Sequence, residues 1–163
     1  MSAHKWELCS RYKELSVIPK QPKLMIIKNN EGLKQIVLGD NQTIKLSGKE
    51  TSGKFLLIEE NNEPNVGIPE HTHTYEDEVF TVIEGKLELY INGEKVILNK
   101  GDTAYCPKGI SHSWRTIGNQ PTKVILSIFP AGIEELFFEL AELKEFDFEK
   151  VKKLSSNYGI TFK

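Results

Sequence analysis

The chain has 163 residues, of which 39% are hydrophobic and 27% are charged, a composition typical of one globular domain with its own core. Its formal net charge of −2 at pH 7 gives no overall attraction to nucleic acid or to an anionic membrane surface. The two cysteines form no disulfide framework, residues 1–20 lack the apolar stretch of a signal peptide, and no segment is as long as a membrane span. We therefore expect a cytoplasmic protein with neither a nucleic-acid nor a membrane partner.

Residues 1–33 are polar and predict an N-terminal extension or arm before the folded domain. Within residues 1–30, six Lys and Arg residues outnumber two Glu residues, which favours a solvated, lightly basic segment over an anion-binding arm. Met25, Ile26 and Ile27 are apolar enough for a short strand before the turn signal at residues 29–32.

Residues 34–130 predict a run of short strands separated by turn residues, a pattern typical of a β-sandwich or barrel. Leu87, Leu89 and Ile91 alternate with polar residues, which is the period of a half-buried strand. The Asn92-Gly93 pair that follows lies between two apolar segments and is the strongest hairpin signal in the chain. Further apolar segments occur at residues 36–38, 54–59 and 124–129.

Residues 131–163 change to a helical period and predict a C-terminal helical segment. Asp147 is a suitable N-cap for a second helix, and Gly159 is suited to end it. We expect these helices to pack on an open edge or face of the barrel, to close one of its mouths, or to form a dimer contact. The apolar positions that face inward are Ile133, Leu136, Phe137, Leu140 and Leu143 in the first helix, and Phe148, Val151 and Leu154 in the second.

Three of the four histidines lie in two short segments with metal-ligand spacing. His71 and His73 are two residues apart, so on a strand both imidazoles point to the same face. Glu78 follows after a stretch that needs a turn at residues 74–77 to bring this carboxylate inward, and His112 comes from a distant strand through a turn at residues 107–109. Three imidazoles and one carboxylate fill four corners of an octahedron and leave two positions open for water or a reactant.

These two segments resemble the paired motifs of the cupin superfamily, G-x5-H-x-H-x3,4-E-x6-G and G-x5-P-x-G-x2-H-x3-N. The first motif matches from His71 to Gly85, although Gly67 lies too close to His71. The second matches through His112, with Thr116 in place of the final Asn. The resemblance implies an all-β fold with C-terminal helices, in which residues 34–130 form a double-stranded β-helix or jelly-roll barrel. It also implies one divalent metal ion (Fe, Mn, Ni, Cu, Co or Zn) bound by His71, His73, Glu78 and His112.

The segments Phe129–Phe137 and Ser47–Gly53 are similar to parts of single-barrel cupins described as quercetin-dioxygenase-like. This resemblance implies a metal-dependent dioxygenase that acts on a small enol or aromatic, flavonol-like molecule. It also implies that Glu78 is a catalytic base toward the substrate hydroxyl. Two alternatives remain open: a non-catalytic module that binds a small molecule or a metal, and a non-redox isomerase or lyase.

Strand periodicity also predicts side chains beside the ligands. If Glu78 faces inward, Phe80 and Val82 do so as well. If His112 faces inward, Trp114 also does. Such residues either line a ligand pocket or simply fill the barrel core. Further pocket candidates are Tyr105 and Phe129, whose strand parity is not defined by the sequence. The resemblance also implies a homodimer, because single-barrel cupins often dimerise by packing sheets or exchanging N-terminal strands, and residues 24–38 offer a suitable segment.

Overall fold

Residues 24–163 are the part of the chain that the computed structural model describes, and they form eleven strands and three helices. The strands build two antiparallel sheets that pack face to face. The first sheet has the order β1 (Leu33–Val37), β2 (Asp40–Leu46), β3 (Leu56–Asn62), β10 (Thr122–Phe129), β5 (Asp77–Glu84) and β8 (Thr103–Cys106). The second has the order β11 (Ile160–Phe162), β4 (Gly67–His73), β9 (His112–Thr116), β6 (Lys86–Ile91) and β7 (Glu94–Asn99).

The predicted double-stranded β-helix, or jelly-roll barrel, is confirmed. Inward residues of both sheets form one hydrophobic core, in which Leu56, Ile58, Phe80, Leu87 and Leu89 are fully buried. These positions alternate with outward residues along each strand, as the pleat of a half-buried sheet requires. The predicted Asn92-Gly93 hairpin joins β6 and β7, and its φ angles of 51° and 84° place both residues in the left-handed region of a type I′ turn.

Three helices accompany the sheets: α1 (Gly48–Thr51), α2 (Glu134–Ala141) and α3 (Phe148–Asn157). Asp147 is the N-cap of α3, as predicted, because its carboxylate accepts hydrogen bonds from the backbone N–H groups of Glu149 and Lys150. None of the helices in residues 24–163 has the length and hydrophobicity of a membrane span.

The C-terminal segment contains a strand that its helical period does not predict. After Gly159, β11 pairs with β4, so that Ile160 lies opposite His73 and Phe162 lies opposite His71. The chain end therefore extends the second sheet directly beside the histidines of β4. β11 thus occupies an edge of the second sheet, with α3 packed against it and α2 packed against β1, and the expected closure of a barrel mouth stays a prediction.

The predicted strand at residues 25–27 is wrong. These residues pair with no strand, and Leu24 and Ile26 are exposed. In the turn that follows, the carbonyl oxygens of Lys28 and Glu31 accept hydrogen bonds from the Lys45 ammonium. Residues 1–23, with most of the predicted basic arm, lie outside the described residues, and the homodimer expected through residues 24–38 stays a prediction.

Candidate metal centre

The backbone ladder of the second sheet brings three histidines together. His71 and His73 both point inward from β4, and His71 is the direct partner of His112 on β9. A register shift between Ile68 and His71 interrupts this ladder just before the first ligand. The three imidazoles are buried, and their ring centroids are 4.5–5.6 Å apart.

Two turns bring the remaining parts of the centre into place. The chain leaves β4 at residues 74–76 and re-enters the first sheet at β5, so that the Glu78 side chain faces inward, as predicted. A second turn at residues 107–109 leads toward His112, and it is tied to the first turn by two hydrogen bonds. The Gly109 N–H donates to the His73 carbonyl at 2.8 Å, and the Lys108 N–H donates to the Asp77 carboxylate at 2.9 Å.

The four predicted ligands form one compact cluster. His71, His73, Glu78 and His112 are all buried, and each offers a ligand atom within 4.8 Å of the others. Nε2 of His112 lies 2.8 Å from the Glu78 carboxylate, and Nε2 of His73 lies 3.7 Å from it. The cluster draws on both sheets, because Glu78 belongs to the first and the histidines belong to the second.

Hydrogen bonds on the outer side of the rings orient the histidines. Nδ1 of His71 donates to the Pro69 carbonyl at 2.7 Å, and Nδ1 of His112 donates to the Ile110 carbonyl at 3.2 Å. Nδ1 of His73 lies 3.3 Å from the buried Glu76 carboxylate. With Nδ1 as the donor, the Nε2 lone pair of each ring points into the cluster, which is the arrangement found in metal-binding histidines.

The charges of the cluster also suit a cation. Burial lowers the pKa of His71 to about 4, so this imidazole is neutral at pH 7. Burial also opposes the charged form of His73, but the Glu78 and Glu76 carboxylates outweigh it and raise the pKa of His73. Burial would raise the pKa of Glu78, yet the charge of His73 and the hydrogen bond and charge of His112 lower it to about 2. The centre thus holds an ionised carboxylate among buried imidazoles, a donor set that fits one divalent metal ion.

A cavity of about 60 Å³ lies beside the cluster. Three of the four ligands line it, and Trp114 lines it as predicted. The C-terminal elements cover it, and the Phe162 ring lies 5.5 Å from the ring of His71. The apolar cover comprises Leu136, Phe137, Leu140, Ile160 and Phe162.

Four other predicted pocket residues lie outside this lining. Phe80 and Val82 point inward but belong to the packed core, where the Phe80 ring contacts His112 edge-on. The prediction for Tyr105 and Phe129 is wrong, since 58% and 40% of their respective surfaces are exposed. Tyr105 pairs with Val79 and Phe129 pairs with Asp77, which are neighbours of inward-facing Glu78, so both side chains share the outward parity of their partners.

The cavity also has polar residues that the sequence reasoning missed. Asp40 and Gln42 of β2 and Glu60 of β3 line it, and all three are buried. A signal existed for Glu60, because it continues the inward parity of Leu56 and Ile58 along the same strand.

Comparisons with known proteins support the same fold. A family model described as a cupin domain matches residues 59–129. Quercetin 2,3-dioxygenase of Bacillus subtilis is 27% identical over 130 residues, which cover 79% of this chain but only 38% of that protein. An uncharacterized protein of Aquifex aeolicus is 36% identical over 104 residues, covering 64% of this chain and 77% of the relative. The structure of KdgF from Halomonas sp. superposes with a TM-score of 0.61 at 20% identity, over 69% of this chain and 99% of the other.

Proposed function

This chain belongs to the cupin family, and we propose that it is a metal-dependent dioxygenase that acts on a small enol or aromatic, flavonol-like molecule. The observation that carries the proposal is the convergence of three buried imidazoles and the Glu78 carboxylate beside a cavity. Four protein ligands leave open positions for a substrate oxygen next to the ion.

The chemistry of the donor set supports this choice. Three neutral imidazoles and one carboxylate leave a divalent ion with a net positive charge, so the ion supplies Lewis-acid chemistry toward an enolate oxygen and, if it is redox-active, oxygen chemistry. The chain positions the substrate: the apolar cover excludes water, and Trp114 offers an aromatic wall. The name of the Bacillus relative gives the proposed reaction class, with the match spanning 38% of that protein.

Glu78 has a second role in the proposal, as the base that accepts the proton of the enol hydroxyl. Its carboxylate is ionised, buried and adjacent to the histidines that would hold the ion. Removal of that proton gives the substrate oxygen the negative charge that the cation favours.

Oxygen consumption by the reconstituted protein tests the proposal. We expect protein loaded with one of Fe, Mn, Ni, Cu or Co to consume oxygen in the presence of a flavonol or a smaller enol, and Glu78→Gln to lose this activity. Glu88→Gln is the matched control, because Glu88 is equally buried in the other sheet but pairs with Lys95 and Arg115. Failure of all five metals across both substrate classes would overturn the dioxygenase proposal.

A non-redox isomerase or lyase is the second candidate, and the polar residues of the cavity favour it. Asp40 and Glu60 place two carboxyl groups beside the same cavity, and such groups move protons without a change of oxidation state. Turnover of an enol by zinc-loaded protein under anaerobic conditions would support this candidate. Turnover that requires oxygen would exclude it.

A further inference from the structure

A pair of buried carboxyl groups lies on the wall of the cavity formed by β2 and β3. Asp40 is 2% exposed and Glu60 is 1% exposed, and both line the cavity that also contains His71, His73 and Glu78. Neither residue belongs to the metal cluster. Two carboxyl groups this deep in a core are costly unless hydrogen bonds or protons compensate for them.

Asp40 is fully supported by its neighbours. Its Oδ1 accepts from the Asn62 amide at 2.6 Å, and its Oδ2 accepts from the Gln42 amide at 2.8 Å. Both amides are held in this orientation, because the Asn62 oxygen accepts from the Asn41 N–H and the Gln42 oxygen accepts from Gln35. Burial raises the pKa of Asp40 and these two hydrogen bonds act against that rise, so Asp40 is the better supported anion of the pair.

Glu60 has no such support. Neither of its carboxylate oxygens has a hydrogen-bond donor within reach among residues 24–163. Burial first, and then the charge of Asp40, raise the pKa of Glu60 well above its usual range. The charge of Glu78 contributes least, so a cation that neutralises Glu78 leaves burial and both the charge and the hydrogen bond of Asp40 in place. Because Asp40 has two amide donors and Glu60 has none, the proton of the pair lies on Glu60, whose partner for it among the described residues is Asp40.

We propose that Glu60, with Asp40 behind it, is a subsite for a hydroxyl group of the small molecule whose other end lies at the metal centre. A Glu60 oxygen that is not used by the shared proton accepts a hydrogen bond from the hydroxyl. A methyl group in that place leaves a buried oxygen unpaired, and a carboxylate meets the negative charge of Asp40. The subsite rests on the proposed function only in that the metal holds the other end of the ligand.

Three hydroxypyranones that differ at one substituent test the subsite. Kojic acid, allomaltol and comenic acid share the hydroxyketone that chelates a metal, and on the far side of the ring they carry a hydroxymethyl, a methyl and a carboxylate group, respectively. We expect calorimetric titration of zinc-loaded protein to give kojic acid roughly ten- to a hundredfold higher affinity than allomaltol. Comenic acid should bind more weakly than kojic acid.

Substitutions in β3 test whether the preference for kojic acid over allomaltol depends on Glu60. Glu60→Leu should bring the affinities of kojic acid and allomaltol to within a few-fold of each other, whereas Glu60→Gln should keep the preference because an amide oxygen also accepts. Glu59→Gln is the control, since Glu59 is the adjacent residue on the outer face of β3. Infrared spectra of wild type at neutral pH should contain the band of a protonated carboxyl group, and Glu60→Leu should lack it.

The outcomes separate the subsite from the reaction. Equal affinities for kojic acid and allomaltol in wild type would overturn the subsite and leave the metal centre intact. Binding of neither pyranone would overturn both the subsite and the chelated enol of the proposed function. A kojic acid preference that disappears in Glu60→Leu supports the subsite, whatever the oxygen assays give.

Discussion

His71 and His112 lie directly opposite each other in the β4–β9 ladder, and their imidazole centroids are 4.5 Å apart. Their spacing is therefore set by backbone hydrogen bonds between two strands and not by a flexible loop. Each ring is also fixed on its outer side by a hydrogen bond to a carbonyl two residues earlier in its own strand or turn. Half of the ligand set is thus in position before any ion binds, which reduces the conformational cost of binding.

Metal loading should depend on this pair. His112→Ala should weaken zinc binding by roughly a hundredfold or more, because the variant removes one of four ligands without adding another. Elemental analysis and competition with a chelator measure the effect on purified protein. Ser113→Ala is the control, since Ser113 is the next residue and lies on the opposite face of β9. Stoichiometric zinc in His112→Ala would contradict the assignment of the centre.

The sequence predicted these ligands because the information is local. Parity places His71 and His73 on one face, and turn residues bring Glu78 and His112 inward without knowledge of the rest of the fold. Phe162 gave no such signal. It reaches the centre only because the chain end adds a strand beside β4. This is a long-range pairing, and a three-residue strand is too short for its sequence pattern to predict it.

Glu76 should tune the affinity of the centre without binding the ion. Its carboxylate holds Nδ1 of His73 at 3.3 Å, so Glu76→Ala should lower zinc affinity by about 10- to 100-fold. Glu76→Gln keeps an acceptor oxygen and should lie between wild type and the alanine variant. Glu84→Ala, at the exposed end of β5, should leave the affinity unchanged. An unaltered zinc affinity in Glu76→Ala would show that the contact does not orient His73.

Glu60 should make the stability of the protein fall as the pH rises. Its pKa is raised in the fold, so above the usual value of 4.5 the unfolded chain has lost a proton that the folded chain retains. As the pH rises toward the raised pKa, the free energy of unfolding of wild type should therefore fall relative to that of Glu60→Gln. The difference should change by at most about 1.4 kcal/mol per pH unit. Urea denaturation of the metal-free proteins at several pH values measures the difference. Parallel pH profiles would contradict a protonated Glu60.

Gly85, which ends the first motif, and Gly101, which begins the second, should differ in how well they tolerate a side chain. Gly85 and Gly101 both have positive φ, at 77° and 92°, so alanine is strained at either position by about 1–2 kcal/mol. An added Cβ at Gly85 would also lie 2.5 Å from Thr122 Oγ1 and 2.8 Å from the Pro121 carbonyl, whereas Gly101 faces open space. Thermal and urea unfolding should therefore show a larger loss for Gly85→Ala. Equal losses would mean that only the backbone conformation matters.

The contacts of the two buried carboxyl groups, Asp40 and Glu60, could not be predicted from the local sequence. The inward direction of Glu60 follows from its alternation with Leu56 and Ile58, but its lack of a hydrogen-bond donor depends on the neighbouring strand. Asp40 is satisfied by amides from β2 and β3, and these contacts exist only after the two strands pair. The sequence also leaves undefined which face Tyr105 and Phe129 share, because that depends on how β8 and β10 pair with β5.

Phe162 should control how fast the metal leaves the centre. Its ring lies 5.5 Å from that of His71 and packs edge-on against Phe148 of α3, so it joins the C-terminal cover to a ligand. Phe162→Ala should open a path for water, accelerate zinc removal by EDTA several-fold, and lower the free energy of unfolding by about 1–3 kcal/mol. Phe146→Ala is the matched control, because 72% of the Phe146 surface is exposed. If both variants release zinc at the wild-type rate, the ion leaves by another route and the C-terminal strand has only a structural role.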